Sequence, residues 1–362
     1  MKIAQVAPLV ESVPPRLYGG SERIVSYLTE ALVTEGHDVA LFASGDSQTA
    51  AKLDPCCRQA LRLCDVVDPT PHYMMMLDKV RRRAHEFDII HFHIDQFQFP
   101  LFRELKHRAL TTLHGRQDIP HLGSLYRHFK EMPLVSISDA QRTPVPDASF
   151  VATIHHGLPA DLLPRSLHSR GGYLAFLGRI SPEKRVDRAI RIACAVGLPL
   201  KIAAKVDKVD AVYFHREIEP LLGSAAVEFV GEINERQKAS FLGEARALLF
   251  PIDWPEPFGL VMIEAMACGT PVLAFNRGAV PEVIENGVNG FIVESEDEAV
   301  RKVGALLALD RAAVRRSFEG RFTAERMAKD YVKLYKKLMA INSLPKSRPV
   351  MVNGSSAAQE LA

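Results

Sequence analysis

The sequence predicts an α/β protein of two tandem domains, each a parallel sheet flanked by helices. Three observations predict it. Short β-like runs alternate with helical patterns along most of the 362 residues, and such alternation builds parallel sheets through right-handed crossovers. The alternation pauses at a stretch marked by Gly157, Pro159, Pro164, Gly171 and Gly172 and then begins again. The length accommodates two domains at roughly 150 residues each. No short fixed period recurs, which excludes a solenoid.

In the first half, Ile3–Ala7, Asp38–Ala43, Ile89–His93, Ala109–Leu113 and Leu134–Ile137 read as strands, each an apolar run with an amphipathic segment after it. The second set is Tyr173–Leu177, Leu200–Ala204, Val227–Val230, Ala247–Phe250, Val272–Ala274 and Phe291–Val293. Open sheets of this kind bind ligands at the carboxyl ends of their strands, so two facing domains create a cleft there. The last helical pattern, Ala324–Met339, spaces Met327, Tyr331, Leu334, Tyr335 and Leu338 three and four apart, which makes one buried stripe. Beyond Asn342 the chain turns to Pro, Ser, Asn, Gly and Ala, and Ser343–Ala362 is expected to be a disordered tail. The expected division is residues 1–165, residues 166–323, a helix over 324–342, and the tail 343–362.

Hydrophobic residues make up 47% and charged residues 24%, as in folded globular proteins. Lys and Arg number 45 against 43 Asp and Glu, a net +2, so no basic field argues for nucleic acid. The five cysteines form no C-x-x-C pair, which argues against a thiolate zinc site and for reduced thiols. The opening run is too short for a signal peptide and is interrupted by Gln5, so it reads as a buried first strand. No run approaches the roughly 18 apolar residues that a membrane span needs. A cytoplasmic globular protein is expected.

Two segments carry chemistry. In Leu177-Gly178-Arg179-Ile180-Ser181-Pro182-Glu183-Lys184, a strand ends, a glycine turns, and Ser181-Pro182 reads as an N-cap with proline at the first helical position. Arg179 and Lys184 then lie at a helix N-terminus, where free N–H groups and the dipole already favour an anion. Two cations there repel unless something negative binds, which suggests a pyrophosphate seat; the alternative is a solvated basic turn. In Pro255-Glu256-Pro257-Phe258-Gly259-Leu260-Val261-Met262-Ile263-Glu264, continuing to Gly269-Thr270-Pro271, a helix is expected to start near Pro257 and to be capped by Gly269. Glu264 falls inside an apolar helix and is costly there without a partner. Were both glutamates helical, eight residues would separate them by about 12 Å along the axis. Hydrolytic carboxylate pairs stand about 5–9.5 Å apart, so these two suit different parts of one long ligand.

Together these motifs resemble the retaining glycosyltransferases of family 4, which have the GT-B fold of two Rossmann-like domains facing across a cleft. The Arg179…Lys184 turn, the E-x7-E pair Glu256 and Glu264, and Gly269-Thr270-Pro271-Val272 match that family in order. So do Gly19-Gly20, Asp88-Ile89-Ile90-His91-Phe92-His93, Thr112-Leu113-His114-Gly115 and Ser136-Ile137-Ser138-Asp139. The resemblance covers nearly residues 1–340. It implies that Arg179 and Lys184 hold the diphosphate of a nucleotide sugar, with UDP preferred. Glu264 would bind ribose hydroxyls and Glu256 hydroxyls of the donor sugar. Amides near Phe258, Gly259 and Leu260 would complete the contacts. Gly19 and Gly20 would let the first loop approach the phosphates, and His114 would stand beside the transferred sugar. The first domain would bind a saccharide, lipid or small-molecule hydroxyl acceptor, and the last helix would cross back onto it. The resemblance implies no cofactor and no metal.

Other features have plainer readings. His91, His93 and Asp95 alternate as a metal triad would, but cleft-lining residues are the preferred reading. His155-His156-Gly157 departs from the family's more usual Asn-Gly, and no role is assigned to it. Phe97, Phe99 and Phe102 read as core rather than as an acceptor platform. Lys79-Val80-Arg81-Arg82-Arg83 could touch an anionic membrane, with a solvated helix face as the default. The rival functions are a nucleotide-sugar epimerase of the same fold and a non-enzymatic two-domain sugar-binding protein.

Overall fold

A computed structural model describes residues 1–16, 19–64, 66–164, 171–223 and 226–343. Among these, β1 (Lys2–Val6), β2 (Asp38–Ser44), β3 (Lys52–Cys57), β4 (Ile89–Phe92), β5 (Ala109–Thr112), β6 (Leu134–Ser136) and β7 (Phe150–Thr153) form one sheet in the order 3-2-1-4-5-6-7. A second sheet holds β8 (Leu174–Ile180), β9 (Leu200–Val206), β10 (Val227–Gly231), β11 (Ala247–Phe250), β12 (Val272–Phe275) and β13 (Gly290–Val293) in the order 10-9-8-11-12-13. Adjacent strands in both sheets run parallel. In each sheet the order reverses beside the first strand, and that switch point is where open α/β sheets bind ligands. The central strands β4, β5, β11 and β12 are buried along their whole length, as sheets covered by helices on both faces require.

The sequence reading omitted β3 and β7, and both are the edges of their sheet. Edge strands are half-exposed, and β3 contains Pro55, which only an edge tolerates. β3, with Lys52, Asp54 and Pro55, carries no continuous apolar run, whereas β7 is as apolar as β5 and was missed although its run is comparable. Ends elsewhere differ by one to three residues: β8 continues to Ile180, so Arg179 is a strand residue.

The last helix, Ala324–Ser343, packs on the first helix, Gly20–Thr34, and so returns to the first sheet. Its expected stripe is buried at Met327, Tyr331, Leu334, Tyr335 and Leu338. The tail expectation concerns residues that, beyond Ser343, lie outside those described. All five cysteines are free thiols. Among the described residues, no helix is long and apolar enough to cross a membrane.

Candidate active site

A cavity of 490 Å³ opens between the two sheets, and Gly19, Gly20, His114, Arg179, Lys184, Glu256, Phe258, Gly259, Leu260 and Glu264 all line it. Every residue to which the sequence gives a part in donor binding or transfer is therefore in one place, contributed by both halves of the chain. Seven cations (Arg23, Arg62, Arg116, Arg179, Lys184, Lys205, Lys238) face five carboxylates (Glu11, Glu22, Glu232, Glu256, Glu264) among the lining residues. The excess of positive charge suits a dianion.

Two helix N-termini converge here. The Gly20–Thr34 helix starts after Gly19, the Leu260–Ala267 helix starts after Gly259, and neither has a side-chain cap. First-turn N–H groups have no intrahelical acceptor and can meet an anion, although the Glu22 N–H of the first helix is engaged by its own carboxylate. Glycine is required before each helix: a Cβ on Gly19 would stand 2.8 Å from Pro15, and one on Gly259, at φ +85°, 2.7 Å from Met262. Gly20 has more room, since its Cβ would meet only Leu260 at 3.6 Å. The second helix begins at Leu260, not near Pro257 as the sequence suggested, because the left-handed Gly259 separates Pro257 from it.

The Arg179–Lys184 segment also differs from its sequence reading. Ser181 is extended and makes no side-chain cap, Pro182–Lys184 is a single 3-10 turn, and Arg185 turns left-handed (φ 54°) before the helix Val186–Val196 begins. Lys184 thus sits in the turn and not at the start of a long helix. Nor do the two cations face each other uncompensated. Arg179 lies 2.7 Å from Glu183 and 3.7 Å from both Asp207 and Asp210. Lys184 donates to Glu256 Oε2 at 2.5 Å and stands 4.8 Å from the Trp254 ring centroid. Carboxylates are thus the partners of both cations.

The two glutamates answer to different partners. Glu264 is 4% exposed within its apolar helix and accepts from Lys238 Nζ at 2.7 Å, which supplies the partner its burial demands. Glu256 lies on the loop before that helix and accepts on the same Oε2 from Lys184 and, at 3.0 Å, from Trp254 Nε1. Lys238 was not foreseen, having no motif around it. Trp254 offered a signal, as the single tryptophan of the chain two residues from Glu256.

His114 follows β5 and faces His93, with His114 Nε2 and His93 Nδ1 2.8 Å apart. His156 stacks on His114 at 5.2 Å and meets Phe258 edge-on at 5.0 Å. His91 and His93 share one face, with ring centroids 4.1 Å apart. Their nitrogens are engaged by Tyr335, Thr112, Gln5 and His114. Asp95 lies beyond the end of β4 in a left-handed turn (φ 56°), so the alternation behind the metal-triad reading breaks there.

Burial lowers the pKa of His91, His93 and His156 well below the ordinary value, and holds His114 at about 4 against 6.5. All four stay neutral in the fold. As the pH falls through that window the unfolded chain takes up protons that the folded protein refuses, so stability is lost on acidification. The loss is up to about 1.4 kcal/mol per pH unit for each histidine. Urea midpoints at pH 7.5 and 5.5 should therefore fall toward acid, and less steeply in His156→Gln. Equal midpoints in the wild type would show that the cluster protonates without unfolding.

Contacts between the halves flank the cavity. Glu282 accepts from the backbone N–H groups of Asp139 and Ala140, each at 2.8 Å, and from His155 Nε2 at 3.0 Å. Burial raises the Glu282 pKa, and these bonds more than offset it, leaving the carboxyl below its usual range. Ser138 Oγ donates to the Pro257 carbonyl at 2.6 Å. Arg23 on the first helix pairs with Glu235 at the start of the helix Glu235–Glu244, which also carries Lys238. The Ser138-Asp139 motif and His155 therefore join the two halves beside the cavity.

Residues 18–140 match the family model described as Glycosyltransferase Family 4, and residues 165–321 that described as Glycosyl transferases group 1. The glycogen synthase of Mycobacterium tuberculosis is 26% identical over 377 residues, covering 88% of this chain and 89% of its own. Sucrose-phosphate synthase from Thermosynechococcus elongatus superposes with a TM-score of 0.75 at 20% identity, over 94% of this chain and 99% of its own. Anabaena Alr3699/HepE, solved in complex with UDP and glucose, superposes with a TM-score of 0.70 at 19% identity, over 93% and 100%.

Proposed function

The chain belongs to the family 4 type of glycosyltransferase, with the GT-B fold, and on that premise we propose that it moves a sugar from a nucleotide diphosphate sugar, preferably a UDP-sugar, to a hydroxyl acceptor with the anomeric configuration retained. One observation carries this reading: two helix N-termini without side-chain caps meet Arg179 and Lys184 in a single cavity between the sheets. The UDP and glucose held by Alr3699/HepE support the choice of donor.

In this reading residues 166–323 hold the donor and residues 1–165 present the acceptor, with the 324–342 helix tying the two together. The diphosphate displaces Glu183 and Glu256 as partner of Arg179 and Lys184, and the amides after Gly19 and Gly259 point toward it. Glu264 takes the ribose and Glu256 the donor sugar, with Phe258, Gly259 and Leu260 completing that wall. His114 stands beside the transferred sugar. The acceptor attacks from the face the nucleotide leaves, and the departing phosphate takes the acceptor proton. No cofactor is needed, because two cations and two helix ends stabilise the charge that develops on the leaving group. Chelation by EDTA should therefore leave the rate unchanged; activity lost in EDTA and restored by one divalent ion would overturn the metal-independent reading.

Titration with UDP, ADP, GDP and their glucose conjugates, read by thermal shift and then by nucleotide release, tests the whole proposal. UDP is expected to raise the melting temperature most. Release should require a sugar or other hydroxyl acceptor. Interconversion of the free nucleotide sugar without an acceptor would make the protein an epimerase instead, and binding of sugar with no turnover a sugar-binding protein.

A further inference from the structure

A continuous file of hydrogen bonds runs from the last helix to the cavity. His114 Nε2 is 2.8 Å from His93 Nδ1, and His93 Nε2 is 2.8 Å from Gln5 Oε1. Gln5 Nε2 donates to the Tyr335 hydroxyl at 3.3 Å, which is 2.8 Å from His91 Nδ1. His91 Nε2 is 2.7 Å from Thr112 Oγ1, itself 2.8 Å from the Tyr331 hydroxyl. Apart from His114, no member is more than 3% exposed.

A neutral imidazole has one N–H and one lone pair, and a side-chain amide one end that donates and one that accepts. The orientation of Gln5 therefore determines the protons of His93 and His114. Its Oε1 faces His93, so His93 donates from Nε2 and must accept on Nδ1. His114 then donates from Nε2 and keeps Nδ1 unprotonated. On the other side Gln5 donates to the Tyr335 hydroxyl. The second lone pair and the proton of that hydroxyl leave it able either to donate to His91 Nδ1 or to accept from it, so the polarity of the His91, Thr112 and Tyr331 contacts is not set by Gln5. The opposite polarity would require every bond from Tyr335 to His114 to invert together. His114 Nδ1 is buried and, among the described residues, has no hydrogen-bond partner, while its ring lines the cavity.

We propose that this file sets the tautomer of His114, so that Nδ1 meets a donor-sugar hydroxyl as an acceptor, and that Gln5, His93 and Tyr335 are positioning residues through which the last helix acts on the reaction. The inference rests on the placement of His114 beside the transferred sugar. It gives a role to His93, and to Tyr335 in the buried stripe of the last helix.

The test is nitrogen NMR on protein labelled with 15N-histidine, with the His114 signals identified by their loss in His114→Gln. Wild-type His114 should show a protonated Nε2 and a bare Nδ1. Tyr335→Phe opens the file between Gln5 and His91, and Gln5→Met removes the amide while keeping its length. In each, His114 should populate both tautomers, and kcat should fall roughly tenfold, as for one lost hydrogen bond, with donor KM within about twofold. A merely structural role would lower the melting temperature and leave the tautomer alone. Wild-type His114 protonated on Nδ1, or variants whose tautomer or kcat does not move, overturns the proposal. If one variant does not fold, the wild-type spectrum and the other variant carry the test. Full turnover in His114→Gln is a separate failure, since it removes His114 from the sugar whatever its tautomer.

Discussion

Arg179→Ala and Lys184→Ala should each lower turnover by roughly 150-fold or more, about 3 kcal/mol of transition-state stabilisation, with the fold intact. The charge these side chains meet grows as the sugar–phosphate bond breaks, so their loss falls on the chemical step more than on binding. The fold should tolerate the loss of Arg179, whose pair with Glu183 is about one-third exposed and contributes little. The Lys184–Glu256 pair is more buried, at 20% and 12% exposed, so Lys184→Ala should lower the melting temperature more. The variants should differ in donor affinity. Arg179→Ala leaves Glu183, Asp207 and Asp210 around a seat meant for an anion, and their repulsion should raise donor KM. Lys184→Ala leaves only Glu256, still held by Trp254 Nε1 at 3.0 Å. Steady-state kinetics with varied donor, beside melting curves, checks this. Near-wild-type turnover in both variants would sink the phosphate seat.

How much of this was legible in the sequence depends on how local the cause was. The strands that flank the switch points are apolar runs, unbroken in β11 and broken by single polar residues, Gln5 and His91, in β1 and β4, and their turn punctuation suffices to find them. The edge strand β3 lacks that pattern because one side of it meets solvent, while β7, with three apolar residues in four, is half-exposed without its sequence showing it. Helix starts were misplaced where a left-handed residue intervenes: Ser181-Pro182 and Pro257 carry helix-opening signals, but Arg185 at φ 54° and Gly259 at φ 85° reset the chain before the helices begin. Proline marks what the backbone permits, and the turn geometry after it is decided by packing. The site motifs were readable because each lies within a few residues of a glycine or proline. Their partners were not: Lys238 lies 26 residues from Glu264, and Tyr335 lies 244 residues from His91. The helical stripe foretold that Tyr335 is buried, but not that its hydroxyl reaches the first sheet.

Glu264→Gln should mainly weaken donor affinity, raising donor KM by roughly tenfold, whereas Glu256→Gln should lower kcat by roughly 100-fold. The two substitutions are alike in chemistry, so the split must come from what each carboxylate faces. Lys238 can only donate and holds Glu264 Oε1 at 2.7 Å. In Glu264→Gln the amide oxygen must stay with Lys238, which turns the NH2 group toward the ribose and replaces an acceptor by a donor. Ribose is unchanged during reaction, so that loss is felt equally in ground and transition states. Glu256 has Lys184 and Trp254 both donating to Oε2. Once the diphosphate has taken Lys184, Trp254 Nε1 still donates to that oxygen, so a glutamine there must give its oxygen to Trp254, leaving an NH2 group and no negative charge toward the sugar. The donor sugar does change, since its ring becomes oxocarbenium-like, and a carboxylate beside it strengthens its contact as positive charge develops. Donor-saturation kinetics on the two single variants decides the matter. If Glu264→Gln loses only kcat and Glu256→Gln only donor affinity, the two ends of the ligand are reversed in the cavity. If neither constant moves, the glutamates are structural partners of Lys238 and Lys184, and the donor site lies elsewhere.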